Sequence, residues 1–286
     1  MTPYRQAEPA GDVPPPPRYV PMTRREERLQ RWLRAAPVLV LAIAAMALGR
    51  VWLLGAAVAW GLGTIVVTRL HARALNGRLR ALAGTLARDG DPHLATRSLE
   101  ALVADARGNP GFHSVALLFL GIARARTGDA DGALELLYVV QRGGWLDARD
   151  VWMAWLLPWL AQLHAARGDL DLAQKWLEVA RARLPPGRRE GLVSPETLVD
   201  LRLGRLQEAI ARIDAYVANA DASDPVRVHF ALLRAFACER AGTPVATEAV
   251  RQLVADRLAS PGRVLPIESW WAEFAEFVER HAPAVG

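Results

Sequence analysis

The chain has 286 residues, 52% of them apolar, and a formal net charge of +5 that is unevenly placed. Residues 1–34 carry seven Arg and four acids, residues 69–91 five Arg and two acids, and residues 92–286 carry 22 basic against 24 acidic residues. The basic excess therefore sits in the N-terminal third, which excludes a nucleic-acid-binding domain built on a basic folded face and fits a membrane surface; the single cysteine, Cys238, excludes an intrachain disulfide.

Residues 1–23 read as a disordered tail, because Pro14–Pro17 with Gly11, Asp12 and Pro21 favours extended polyproline II and offers nothing to a core. Arg24, Arg25, Arg28, Arg31 and Arg34 open a basic helix. Residues 35–49 are apolar without a charge, Arg50 interrupts, and residues 51–68 are apolar again before Arg69, Arg73, Arg78 and Arg80. One straight helix over 35–68 would be about 51 Å long, against a hydrocarbon core of about 30 Å. It would also hold Arg50 near the membrane centre, at a cost of about 2.5 kcal/mol or more. Two spans, about 35–49 and 51–68, turning at Gly49-Arg50 avoid both problems. The small pairs Ala45/Gly49, Ala57/Gly61 and Ala59/Gly63 are each four apart and would let the spans approach closely. Arginines flank the block on both sides but only Arg50 lies between the spans, so charge bias puts both flanks in the cytoplasm. A cleaved leader fits poorly, because its polar front would be 34 residues long. The anchor is thus expected over residues 24–71. One Lys against 34 Arg fits a GC-rich bacterial genome, hence a bacterial inner membrane.

From residue 72 to about 258 the pattern changes to amphipathic helix pairs. Gly90, Gly128, Gly168, Gly204 and Gly242 recur at spacings of 38, 40, 36 and 38 residues. Asp follows the first three, and Ala95, Ala133, Ala173 and Ala209 lie five residues after the first four. A fixed period of this size marks a helical solenoid. Apolar stripes flank each turn, as in Val115, Leu118, Ile122 and Ala125 before Gly128 and Ala133, Leu136, Leu137 and Val140 after it. Gly supplies the positive φ that ends the first helix, and Asp can cap the second. Asn109-Pro110-Gly111, Gly143-Gly144 and Pro185-Pro186-Gly187 separate the units; Ser194-Pro195 and Asp224-Pro225 read as helix starts. The expected fold is all-α: a transmembrane hairpin, about five helix pairs and, in residues 259–286, a helix bearing Ile267, Trp270, Trp271, Phe274, Phe277 and Val278 that caps the last pair.

Leu117, Leu120-Gly121, Ala133 and Leu137 around the Gly128-Asp129 turn resemble the tetratricopeptide repeat family. The third unit is similar through Leu157, Leu160-Ala161, Ala173, Leu177, Ala180 and Pro185, and the first through Leu79, Leu82-Ala83, Ala95 and Leu99. The aromatic that the family places four residues before the turn glycine is replaced by Leu86, Arg124, His164, Asp200 and Cys238. The resemblance implies a scaffold that binds peptides or helices in a groove, not an enzyme.

No phosphate loop, histidine pair at helical zinc spacing, or nucleophile elbow occurs, so no catalytic residue, metal or cofactor is expected. Asp129-Ala-Asp131-Gly132 has Thr127 and Tyr138 where a calcium loop needs acids, and reads as a helix turn. Two constellations remain. Arg88, Arg126, Arg202 and Arg240 each lie two residues before a turn glycine. They form either a ladder for an acidic peptide or carboxylate, or simply the cations a helix C-terminus favours. Trp152, Trp155 and Trp159 share one helix face beside Pro158, as core packing or as an aromatic groove centred on Trp155. The expected function is a membrane-tethered protein-binding scaffold whose partners are the lipid bilayer and a protein or peptide, an acidic one where the arginine ladder binds it. The alternative is an accessory or regulatory subunit of a membrane enzyme or transporter that makes contact through the hairpin.

Overall fold

The first helix, α1 (Arg24–Leu48), opens on a reciprocal cap in which Thr23 Oγ1 accepts from the Glu26 amide while the Glu26 carboxylate accepts from the Thr23 amide. It ends at Gly49, whose φ of 60° turns the chain directly into α2 (Val51–Ala87). The remaining helices are α3 (Pro92–Ala106), α4 (Pro110–Arg126), α5 (Ala130–Gly143), α6 (Asp150–Arg167), α7 (Leu170–Arg183), α8 (Val193–Arg202), α9 (Leu206–Asn219), α10 (Val226–Arg240), α11 (Thr247–Ala259) and α12 (Ala272–Arg280). The computed structural model describes residues 19–20, 23–87, 91–147, 149–219, 226–259 and 265–283. It has twelve α-helices and no strand among those residues.

The two N-terminal helices pack against each other along their length, and both are long and apolar enough to cross a membrane. Ala45, Leu53 and Ala57 are buried between them, and a Cβ at Gly61 would lie 3.9 Å from Val38. Of the three small pairs, Ala57/Gly61 serves this contact, whereas Ala59 is exposed and Gly63 has open space beside it. The expected boundary at residue 71 is not a break. At 37 residues, α2 runs on for about 55 Å and buries Leu75, Leu79 and Leu86 against the helices that follow. The apolar span and the first helix of the first pair are therefore one continuous rod.

Beyond it, each helix from α3 to α11 packs on its neighbours in sequence, and the first helices of successive pairs (α2, α4, α6, α8) also touch one another. The joints repeat in geometry. Gly128, Gly168, Gly204 and Gly242 all have positive φ, between 69° and 90°. The amide that follows each glycine donates to a carbonyl five residues back: Asp129 to Arg124 (3.0 Å), Asp169 to His164 (2.9 Å), Arg205 to Asp200 (2.8 Å) and Thr243 to Cys238 (2.9 Å). These are four copies of one left-handed helix stop, which satisfies carbonyls the helix end would otherwise orphan. The fifth turn glycine, Gly90, lies outside the described residues. At the α4–α5 crossing a Cβ on Gly121 would lie 3.0 Å from the Leu137 side chain and 3.4 Å from the Ala133 carbonyl, so the absent side chain lets α5 pack closely on α4.

Several local expectations change. Asp91 and Asp129 cap α3 and α5 through the amides of His93 (2.8 Å) and Gly132 (2.9 Å). Asp169 instead turns its carboxylate to His164 Nδ1 at 3.2 Å and caps nothing. Ser194 is inside α8, which starts one residue earlier, and its hydroxyl accepts from Gln162. The Asp224-Pro225 start lies outside the described residues. Tyr19, in the segment expected as a free tail, is buried, and its hydroxyl meets Arg124 (3.0 Å) and Glu100 (3.4 Å). The C-terminal segment does more than cap the last pair. Trp271, Phe274 and Phe277 ring Phe236 of α10 at 5.1–5.4 Å. Ahead of them, Pro266 rests on Gly128 and Trp270 Nε1 donates to the Gly128 carbonyl at 3.3 Å, across 142 residues of sequence.

Candidate partner-binding pocket

The arginine series has a shared geometry. Arg126 at the end of α4 donates to the Leu86 carbonyl of α2. Arg202 at the end of α8 donates to the Ala166 carbonyl of α6, and Arg240 at the end of α10 to the Leu201 carbonyl of α8 at 3.2 Å. Each guanidinium thus reaches back one repeat to the C-terminal carbonyls of the preceding first helix, where the helix dipole favours a cation. Position 166, the alanine that interrupts the series, supplies one of these carbonyls. Arg183 at the end of α7 donates to the Asp147 carbonyl in the loop between α5 and α6. Arg202 also donates to Trp270 O (3.2 Å) and stacks over the Trp271 ring at 4.2 Å, while Arg240 pairs with Glu273 at 3.3 Å. The series therefore ties α4 to α2, α8 to α6 and α10 to α8, skips the α4–α6 junction where Ala166 stands, and through Arg202 and Arg240 fastens the C-terminal segment to α8 and α10. Burial holds the Arg126 and Arg202 guanidinium groups below their ordinary pKa. Arg88 lies outside the described residues.

Trp155 is placed differently. Its neighbour Trp152 is half-buried and edge-on to Phe119 at 6.2 Å, and Trp159 is packed against the core. Trp155 touches Phe119 on one side, at 6.2 Å, and remains 46% exposed. Among the described residues, the exposed large apolar side chains outside Leu29–Leu70 are Val20, Leu94, Val151, Trp155, Leu203 and Leu258. Two of these, Val151 and Trp155, are one turn apart on α6 and open into the same cavity of about 530 Å³. Its lining also includes Trp159, Tyr216, Phe230 and Leu265 and the polar Arg126, Gln162, Arg188 and Glu190. Pro158 sits in its floor without breaking α6. Because Pro158 has no amide hydrogen, the Ala154 carbonyl lacks its usual helical donor. Gly191 packs into that notch: a Cβ there would lie 3.4 Å from Pro158 and 3.5 Å from the Ala154 oxygen.

His229 completes the wall. It is 3% exposed, it lines the cavity, and neither ring nitrogen has a hydrogen-bond partner among the described residues. Complete burial, aided by the charge of Arg257, pushes its pKa down to about 3, so the ring is neutral at pH 7. A neutral imidazole offers one donor and one acceptor, and leaving both unmet in an apolar wall costs about 1–3 kcal/mol per group. An incoming polar group would recover that cost. The sequence did carry a signal for it: Val226, His229, Phe230, Leu233 and Phe236 form one apolar helix stripe in which the histidine is the polar exception.

A second buried histidine is fully used. His164 Nε2 meets Tyr138 OH at 2.7 Å, Trp176 Nε1 donates to the same hydroxyl at 3.3 Å, and His164 Nδ1 faces Asp169. This chain of hydrogen bonds joins α5, α6 and α7. Burial lowers the His164 pKa, opposed by Asp169.

Comparison of the chain with protein-family models, curated proteins and solved structures gives no match.

Proposed function

We propose that the protein is a membrane-tethered interaction scaffold: a two-span anchor in a bacterial inner membrane carrying a tetratricopeptide-like domain that holds a protein or peptide partner on the same side as its N-terminus, in the cytoplasm. One observation carries the binding reading. Val151 and Trp155 are exposed in an aromatic pocket whose wall holds a buried His229 that has no hydrogen-bond partner among the described residues. Aromatic anchors in concave, partly apolar sites are where binding energy concentrates. The four identical helix stops support the repeat assignment. Tyr19 supports the topology: it precedes α1, yet it contacts Glu100 and Arg124, which follow α2. If both helices span the bilayer, that contact requires both flanks on one side. The arginine bias makes that side the cytoplasm.

The test is partner capture after crosslinking in cells, with quantification of the proteins that co-purify. Trp155→Ala should lose a discrete set of proteins at least about tenfold, while Leu94→Ala, an exposed apolar control, keeps it. Identical sets from wild type and Trp155→Ala would remove the pocket from the proposal. The second reading, an accessory subunit docked through the hairpin, draws on the outward face of α2, where Gly55, Ala59 and Gly63 follow at four-residue steps with open space at both glycines. Bulky residues at Gly55 and Gly63 would then abolish capture and Trp155→Ala would not.

A further inference from the structure

We infer that the base of the hairpin is a binding site for an anionic phospholipid, on the reading that α1 and α2 span a bilayer. Between Glu27 and Asp89 the chain has no Asp or Glu, although eight arginines from Arg28 to Arg80, and Arg88 itself, fall in that interval. The membrane-proximal arginines thus have almost no local carboxylates to neutralise them. Arg31 turns to Glu27 and Arg78 pairs with Asp105 at 2.6 Å, but among the described residues neither Arg34 nor Arg69 has a carboxylate partner. Arg34 makes a 3.5 Å contact with Gln30.

These two arginines come from different helices and converge. Together with Arg31 and Thr68 they line one cleft of about 470 Å³ between α1 and α2, and its deeper wall is Val38 and Ile65. The cleft is amphipathic in the direction the bilayer is. Its cationic mouth is level with the last polar residues, and its apolar wall continues toward the Gly49 turn, about 21–27 Å further along the two helices. A phosphodiester at the mouth would receive planar guanidinium donors from both helices, and an acyl chain would follow the apolar wall. Trp32, which is 64% exposed at the same level, suits the interface beside it. A zwitterionic lipid presents the same phosphate but brings its own cation, which the arginines repel. The chemistry therefore selects a headgroup with net negative charge.

Native mass spectrometry of the full chain, released from bilayers containing equal phosphatidylglycerol and phosphatidylcholine with matched acyl chains, tests this. Two arginines at an anionic surface correspond to about a 30-fold preference for the anionic lipid. Arg34→Gln with Arg69→Gln should bring retention near parity. Arg73→Gln with Arg80→Gln, which removes the same charge from exposed positions of α2 outside the cleft, should leave the preference in place. No preference in the wild type, or equal loss in both pairs, overturns the site. Alkaline extraction separates the two claims. Release of the protein from the membrane would sink the hairpin reading and this site with it, whereas an embedded protein without lipid preference overturns the site alone.

Discussion

Arg202→Ala separates a structural role for the arginine series from a binding role. The side chain is half-buried; it donates to the Ala166 and Trp270 carbonyls and lies over the Trp271 ring at 4.2 Å. A hydrogen bond from a charged donor contributes about 1.5–3 kcal/mol net, and a cation–π contact about 0.5–2 kcal/mol. The contacts share one flexible side chain and are not additive, so truncation should cost about 2–4 kcal/mol in total. For a folded part of roughly 200 residues this lowers the melting temperature by about 6–12 °C. Lysine should restore only part of it, because a single ammonium is a point donor and cannot bridge two carbonyls while stacking on an indole. Arg142→Ala, at an exposed position of α5, is the control and should stay within about 0.5 kcal/mol. Thermal unfolding in detergent, followed by circular dichroism, reads all three. If Arg202→Ala melts within 1 °C of wild type, the tie between repeats contributes nothing and the reasoning from carbonyl geometry is wrong.

Two further outcomes follow from buried groups and from the C-terminal segment. His229 binds its proton more weakly when folded, with a pKa of about 3 against an ordinary 6.5. Stability is therefore full above about pH 6.5, falls as the pH drops below that and levels off below about pH 3, with a loss of about 2 kcal/mol at pH 5. His229→Phe should flatten that part of the acid limb in denaturant titrations; an unchanged difference between pH 7 and pH 5 would show that the ring is not buried neutral. Trp270→Ala removes the bond to Gly128, so the amides of Ile267, Ser269 and Trp270, each now bonded at 2.9 Å, should exchange hydrogen at least about tenfold faster. Unchanged protection would mean the segment is held without that long-range contact.

The features legible in the sequence were those with local causes. The glycine joints are visible because a left-handed helix stop needs glycine wherever it occurs. The Gly49-Arg50 turn is visible because a charge and a length limit coincide there. Trp155 was legible as a choice between core and groove; only packing tells it from Trp152, which lies on the same stripe and is edge-on to Phe119. The arginine targets were not legible, since an arginine in the last turn of a helix reads the same whether its guanidinium meets solvent or the carbonyls of the previous repeat. Nor was the reach of Trp270 to Gly128, or of Tyr19 to Arg124, because neither contact leaves any trace in local periodicity. The continuity of α2 escaped for the opposite reason: the change from apolar to amphipathic composition at Arg69 looks like a boundary, yet nothing in the backbone ends there.

The hairpin with both flanks on one side is the claim on which the scaffold and the lipid site both rest, and two-sided labelling tests it most directly. In a chain with Cys238 replaced by Ala, new cysteines at Arg50 and at the exposed Glu135 of α5 would be treated with a membrane-impermeant maleimide on intact spheroplasts and again after permeabilisation. The account predicts labelling of Arg50→Cys from outside and of Glu135→Cys only after permeabilisation. Labelling of both positions only after permeabilisation, or of both from outside, would contradict it.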